Sequence, residues 1–149
     1  MVANFTCELL LKFKQQSSFT IIVEILNYPD PERTNHLANF SLALLGEYSR
    51  TSETTMQQAM DQMFIWVNHP FWEIREMCVY PLRLAYSKFP NQVLTILNDW
   101  IKSSNENIRR TAIESLRPLS VVKWLRDPKK NDPIIHLLSQ VRADPSIYV

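Results

Sequence analysis

Glycine is almost missing from this chain: Gly46 is the only one among 149 residues, beside nine prolines. An average chain of this length carries roughly ten. Tight hairpins, phosphate-cradling loops and barrel corners depend on residues that tolerate positive φ. Rossmann, Walker-type and most all-β architectures are therefore excluded. Cysteine is equally scarce. Cys7 and Cys78 lie far apart with no Cys-x-x-Cys spacing, which predicts two buried thiols in a reducing compartment. His36, His69 and His136 are scattered and lack metal-ligand spacing, so neither a metal nor a cofactor is expected. Long apolar runs are lacking as well, since Glu8, Lys12, Lys14 and Glu24 interrupt the N-terminal ones. No signal peptide or membrane span is expected, and the chain reads as cytoplasmic.

What is present points to one domain with a real core: 46% of the residues are hydrophobic and 21% charged. The net charge of +1 conceals an asymmetry. Residues 1–100 hold 7 basic and 10 acidic side chains, whereas residues 101–149 hold 9 and 5.

Apolar residues recur at spacings of three and four, the pattern of amphipathic helices. It predicts helices over 3–14, over 18–27 (ended by Pro29 and Pro31), through Leu37 to Tyr48, and from Thr51-Ser-Glu-Thr-Thr through Val67. Pro70 interrupts, and helices over 71–87, 91–102 and 106–117 follow. Residues 119–130 are less regular, Asp132-Pro133 should open a helix reaching Arg142, and Asp144-Pro145-Ser146 resembles the start of another.

These helices repeat. Trp66-Val-Asn-His-Pro-Phe-Trp-Glu-Ile-Arg lies over Trp100-Ile-Lys-Ser-Ser-Asn-Glu-Asn-Ile-Arg without a gap, at an offset of 34. Val141-Arg-Ala-Asp-Pro-Ser-Ile-Tyr-Val forms a third copy, with Val149 standing 41 residues beyond Ile108. Helix, short polar turn and helix at this period predict an all-α fold, an α-solenoid of antiparallel helix pairs whose Trp, Leu and Ile mostly form inter-repeat core. The last copy stops where its second helix should begin. A missing segment or self-association is expected to cover that end.

The strings Phe71-Trp-Glu-Ile-Arg-Glu-Met, Ser104-Asn-Glu-Asn-Ile-Arg-Arg-Thr-Ala-Ile-Glu-Ser-Leu-Arg-Pro-Leu and Asp144-Pro-Ser-Ile-Tyr-Val resemble the bacterial DNA alkylation repair proteins with HEAT-like repeats, the AlkC/AlkD type. The likeness runs from about 63 to 149. Residues 1–60 carry no motif that can be placed. The resemblance implies a curved solenoid whose basic concave face holds duplex DNA. It also implies, in active members, a DNA N-glycosylase excising bases made cationic by N3 or N7 alkylation. Such a base is already a good leaving group, so the enzyme must mainly stabilise positive charge growing on the deoxyribose. A placed carboxylate and an aromatic face can do so.

By that resemblance, the AlkD-like branch supplies the pair from a Trp and an Asp four residues later, and Trp72 and Glu76 occupy these positions. Spacing of i, i+4 sets both on one helix face, though glutamate carries its charge about an ångström further out. The AlkC-like branch implies a DNA-facing role for Arg110, Glu114 and Arg117. Its aromatic is displaced, with Val122 in place and Trp124 two residues later. Val79 replaces that branch's catalytic glutamate, while the matching arginine is kept as Arg83. In both branches a further site residue falls on a helix beyond Val149.

Independently of the resemblance, Arg75 and Arg109 stand at equivalent points of successive repeats, Arg110 follows, and Arg117, Lys123, Arg126, Lys129 and Lys130 extend the charge. Stacked cations of this kind track phosphates without reading sequence. The same arginines could instead pair with Asp99, Glu106 and Asp144 between repeats. The expectation is a DNA-binding repeat protein that is a glycosylase if active. The alternative is a non-catalytic helical-repeat scaffold binding protein or structured DNA.

Overall fold

Eight helical segments and no strand make up the described residues, which in this computed structural model are 15–27, 34–117 and 128–149. They are α1 (Gln15–Leu26), α2 (Thr34–Ser49), α3 (Glu53–Trp66), α4 (Trp72–Met77), α5 (Val79–Lys88), α6 (Pro90–Trp100), α7 (Glu106–Ser115) and α8 (Pro128–Ser139). The predicted all-helical class therefore holds. The expected helix over 3–14, Cys7 and the irregular stretch to 127 lie outside the described residues. No described helix is long and apolar enough to cross a membrane.

Local chemistry sets the helix ends. Ser52 and Thr55 close a reciprocal capping box at the start of α3. Asn105 caps α7 by accepting from the Asn107 N–H at 2.9 Å, and Pro90 opens α6, where its missing donor costs nothing. The helix expected over 71–87 divides at Cys78 into α4 and α5. Pro81 explains the break, because it has no N–H to give the Met77 carbonyl one turn back. α8 begins at Pro128, four residues before the predicted start, and carries Pro133 inside it.

Beyond neighbours in the chain, α2 packs on α5 and α5 on α7, with α4 bridging α2 and α7. α6 packs on α8 on the other side. Leu42 and Leu45 of α2, Met60 and Met63 of α3, Leu82 of α5 and Leu97 of α6 are fully buried between them. Each such side chain contributes about 1.5–3 kcal/mol of burial. Cys78 is buried as expected, and burial pushes its thiol up to about 12.

The lone glycine serves this packing rather than a turn. No glycine takes a positive φ. A Cβ on Gly46 would stand 2.8 Å from Leu84 Cδ1 and 3.2 Å from the backbone Cα of Pro81. Glycine is what lets α2 approach α5.

Candidate nucleic-acid interface

Trp66 and Trp100, matched in the repeat, are both buried core residues, whereas Trp72 is 62% exposed at the start of α4. Phe71 beside it and Tyr80 on α5 are also exposed. A tryptophan left largely in water beside two others that are buried is free to act outside the core. One turn further along, on the same face, the Glu76 side chain is 43% exposed.

Glu76 does not stand alone. Arg110 of α7 donates from Nη2 to Glu76 Oε2 at 2.8 Å. The Arg110 guanidinium also lies over the Tyr148 ring, 4.6 Å from its centroid. Burial draws the Arg110 ionisation down, but the hydrogen bond and charge of Glu76 outweigh it and hold Arg110 above the ordinary arginine range. The result is an exposed aromatic, a carboxylate and a cation from two helices, with an aromatic plate behind the cation.

The remaining predicted residues separate into three groups. Arg83 reaches from α5 to the end of α7, donating from Nη2 to the Glu114 carbonyl at 2.7 Å and from Nε to the Ser115 carbonyl at 3.4 Å. A cation there meets the negative end of a helix. Burial lowers the Arg83 ionisation against the pull of Glu114, whose carboxylate is 3.8 Å away. Glu114 is shared, since Arg117 also binds it at 3.2 Å while its own side chain stays 66% exposed.

Arg75 and Arg109 share a local construction. Each Nη1 donates to the two carbonyls ahead of its helix: His69 and Pro70 for Arg75, Ser103 and Ser104 for Arg109. In the same loops His69 Nδ1, Ser103 Oγ and, one unit later, Asp144 Oδ1 each accept the N–H two residues on. Arg109 then uses Nε and Nη2 to grip Asp144 at 2.7 and 2.9 Å, with only 12% of its side chain exposed. The Asp144 hydrogen bond raises the Arg109 ionisation, and the Arg109 bond holds the Asp144 carboxyl below its ordinary range. Among the described residues no acid pairs with Arg75, and its Nε is buried without a partner. Arg109 thus ties α7 to the 144–148 segment, as the ion-pair expectation had it for Asp144.

Lys123, Trp124 and Arg126 lie outside the described residues. Lys129 and Lys130 fall on α8, and their side chains likewise lie outside them. Sequence reasoning missed Tyr148 as a partner of Arg110, although Asp-Pro-Ser-x-Tyr had marked its segment. A groove of about 580 Å³ between α3 and α6, floored by Phe64 and Trp100, carries none of the predicted residues. The chain matches no protein-family model, no curated protein and no solved structure.

Proposed function

We propose that the chain is a DNA-binding α-solenoid of HEAT-like helix pairs, working on duplex DNA in the manner of the DNA alkylation repair proteins it resembles. The observation that carries this reading is Trp72, exposed one turn from Glu76, with Arg110 brought to Glu76 from the next unit. α2, α4–α5 and α7 pack on one another in a row, and that row, which carries the cluster, is taken as the inner one. The reaction is hydrolysis of the N-glycosidic bond of a cationic alkylated base. Trp72 packs against the sugar and Glu76 stabilises the oxocarbenium-like transition state or orients water. Arg110 spends one of its five N–H donors on Glu76, and the others take phosphate. Arg117, the most exposed of the described site arginines, adds a phosphate contact. The cytoplasm is the expected compartment.

Two experiments test this. Binding to duplex DNA should weaken steeply with salt, and absence of salt-dependent affinity would defeat every DNA reading. Excision of 7-methylguanine or 3-methyladenine from methylated duplex should fall about 10²-fold or more in Glu76→Gln. One observation favours a second reading. Arg83 and Arg109 are engaged by α7 and by Asp144, so much of the basic register stiffens the stack rather than facing a ligand. Duplex binding without excision by the parent protein identifies a non-catalytic scaffold.

A further inference from the structure

The Glu76–Arg110 pair poses a question of geometry. A partly exposed ion pair with a single hydrogen bond is weak and does not by itself hold two long side chains in place. Arginine is rich in rotamers, and its planar guanidinium is held to one orientation when an aromatic face backs it. Tyr148 supplies that face at 4.6 Å.

Tyr148 is itself held by a short series of contacts on the first turn of α7. Asp144 is gripped by Arg109 through two bonds. Its Oδ1 also accepts the Ser146 N–H at 2.9 Å. The Ser146 hydroxyl then donates to Glu106 Oε2 at 2.6 Å and accepts the Tyr148 N–H at 3.1 Å. Three residues of the 144–148 segment thereby land on Arg109, Glu106 and Arg110 in turn. Ile147, between them, is left fully in solvent. The segment is built to deliver one ring to one guanidinium.

We infer that Tyr148 is a positioning residue: clasped to α7 through Asp144 and Ser146, it stacks on Arg110 and so fixes the orientation in which Arg110 holds Glu76. This rests on the reading of Glu76 and Arg110 as the working pair. It assigns Arg109 to the clasp and not to DNA. The ring is what acts, so the hydroxyl is dispensable.

The test uses the full chain and compares the parent with Tyr148→Phe and Tyr148→Ala. The first readout is the side-chain nitrogen NMR of Arg110, assigned by the signal lost in Arg110→Lys. In the parent and Tyr148→Phe its Nη signals should be resolved by hindered rotation, and in Tyr148→Ala they should collapse to an average. The second readout is affinity for duplex DNA. It should fall about 2–5-fold in Tyr148→Ala, the fold-change matching an exposed cation–π contact, with Tyr148→Phe restoring it. Asp144→Asn, which keeps the tyrosine but loosens the clasp that seats it, should move both readouts the same way and serves if Tyr148→Ala does not fold. Resolved Arg110 signals in Tyr148→Ala overturn the proposal. So does a collapsed signal with unchanged affinity, since Arg110 would then be ordered to no effect. Should the parent bind no DNA, the functional reading fails separately, and the guanidinium signal alone decides whether Tyr148 holds Arg110.

Discussion

Arg75 and Arg109 stand at matching points of successive units, lean on the same pair of loop carbonyls, and end in opposite conditions. Arg109 meets Asp144 with its free edge and is almost removed from water. Arg75 has Ser103 at the place of Asp144, and its Nε stays buried and unpaired. One joint between units is tied by a two-pronged ion pair. The other relies on apolar packing, on Arg83 at the end of α7 and on the half-exposed Glu76–Arg110 bond. A repeated arginine is therefore not a repeated function. What it does depends on the residue the next unit presents.

That contrast can be broken or sharpened in four ways. The largest effect should come from Gly46→Val, which attacks the α2–α5 contact in the core rather than either joint. The overlap with Leu84 Cδ1 and the crowding of the Pro81 backbone should cost about 1–3 kcal/mol, read by denaturant unfolding, and should dwarf changes at either joint. Next, Asp144→Asn should lower the thermal midpoint, because Arg109 loses the counter-charge that both of its remaining donors grip. The pH dependence has a definite sign. The Asp144 carboxyl is held below its ordinary 3.8 in the folded chain, so its contribution is present above that value and lost as pH falls through the lower folded value. Parent and Asp144→Asn should therefore differ at neutral pH and converge in acid; a constant gap would deny the tie.

A smaller effect, of opposite sign, should follow from Ser103→Asp. Offering Arg75 the acid it lacks should stabilise by about 0.5–1 kcal/mol, and Arg75→Gln in the same chain should cancel the gain. No cancellation would mean that the two joints are not built alike. The smallest change in stability, within about 0.5 kcal/mol, is expected for Arg117→Gln, whose side chain is mostly in water. Under the proposed function its effect falls on binding, and the salt slope for duplex DNA should drop by about one.

Much of the helical order was legible in the chain. The three-and-four spacing located α1 to α3, α6 and α7 to within a few residues, because burying one face of a helix demands that period. The division at Cys78 was not foreseen, though Pro81 carried the signal in its missing N–H. At the candidate site, Trp72 and Glu76 were readable as neighbours, since i, i+4 is a local relation. The Arg110–Glu76 bond and the Tyr148 stack were not, because they join residues 34 and 38 positions apart.

Periodicity and the near-absence of glycine were enough to place most of the helices and to align the arginines. The sequence could not say why the one glycine was there. Only the packed structure decided that Gly46 admits Pro81, that Trp66 and Trp100 are core while Trp72 faces water, and that Arg109 is tied where Arg75 is not. The physical reason is common to all three. Burial and partnership belong to pairs of elements, and a chain's local pattern states a residue's face without stating what that face will meet.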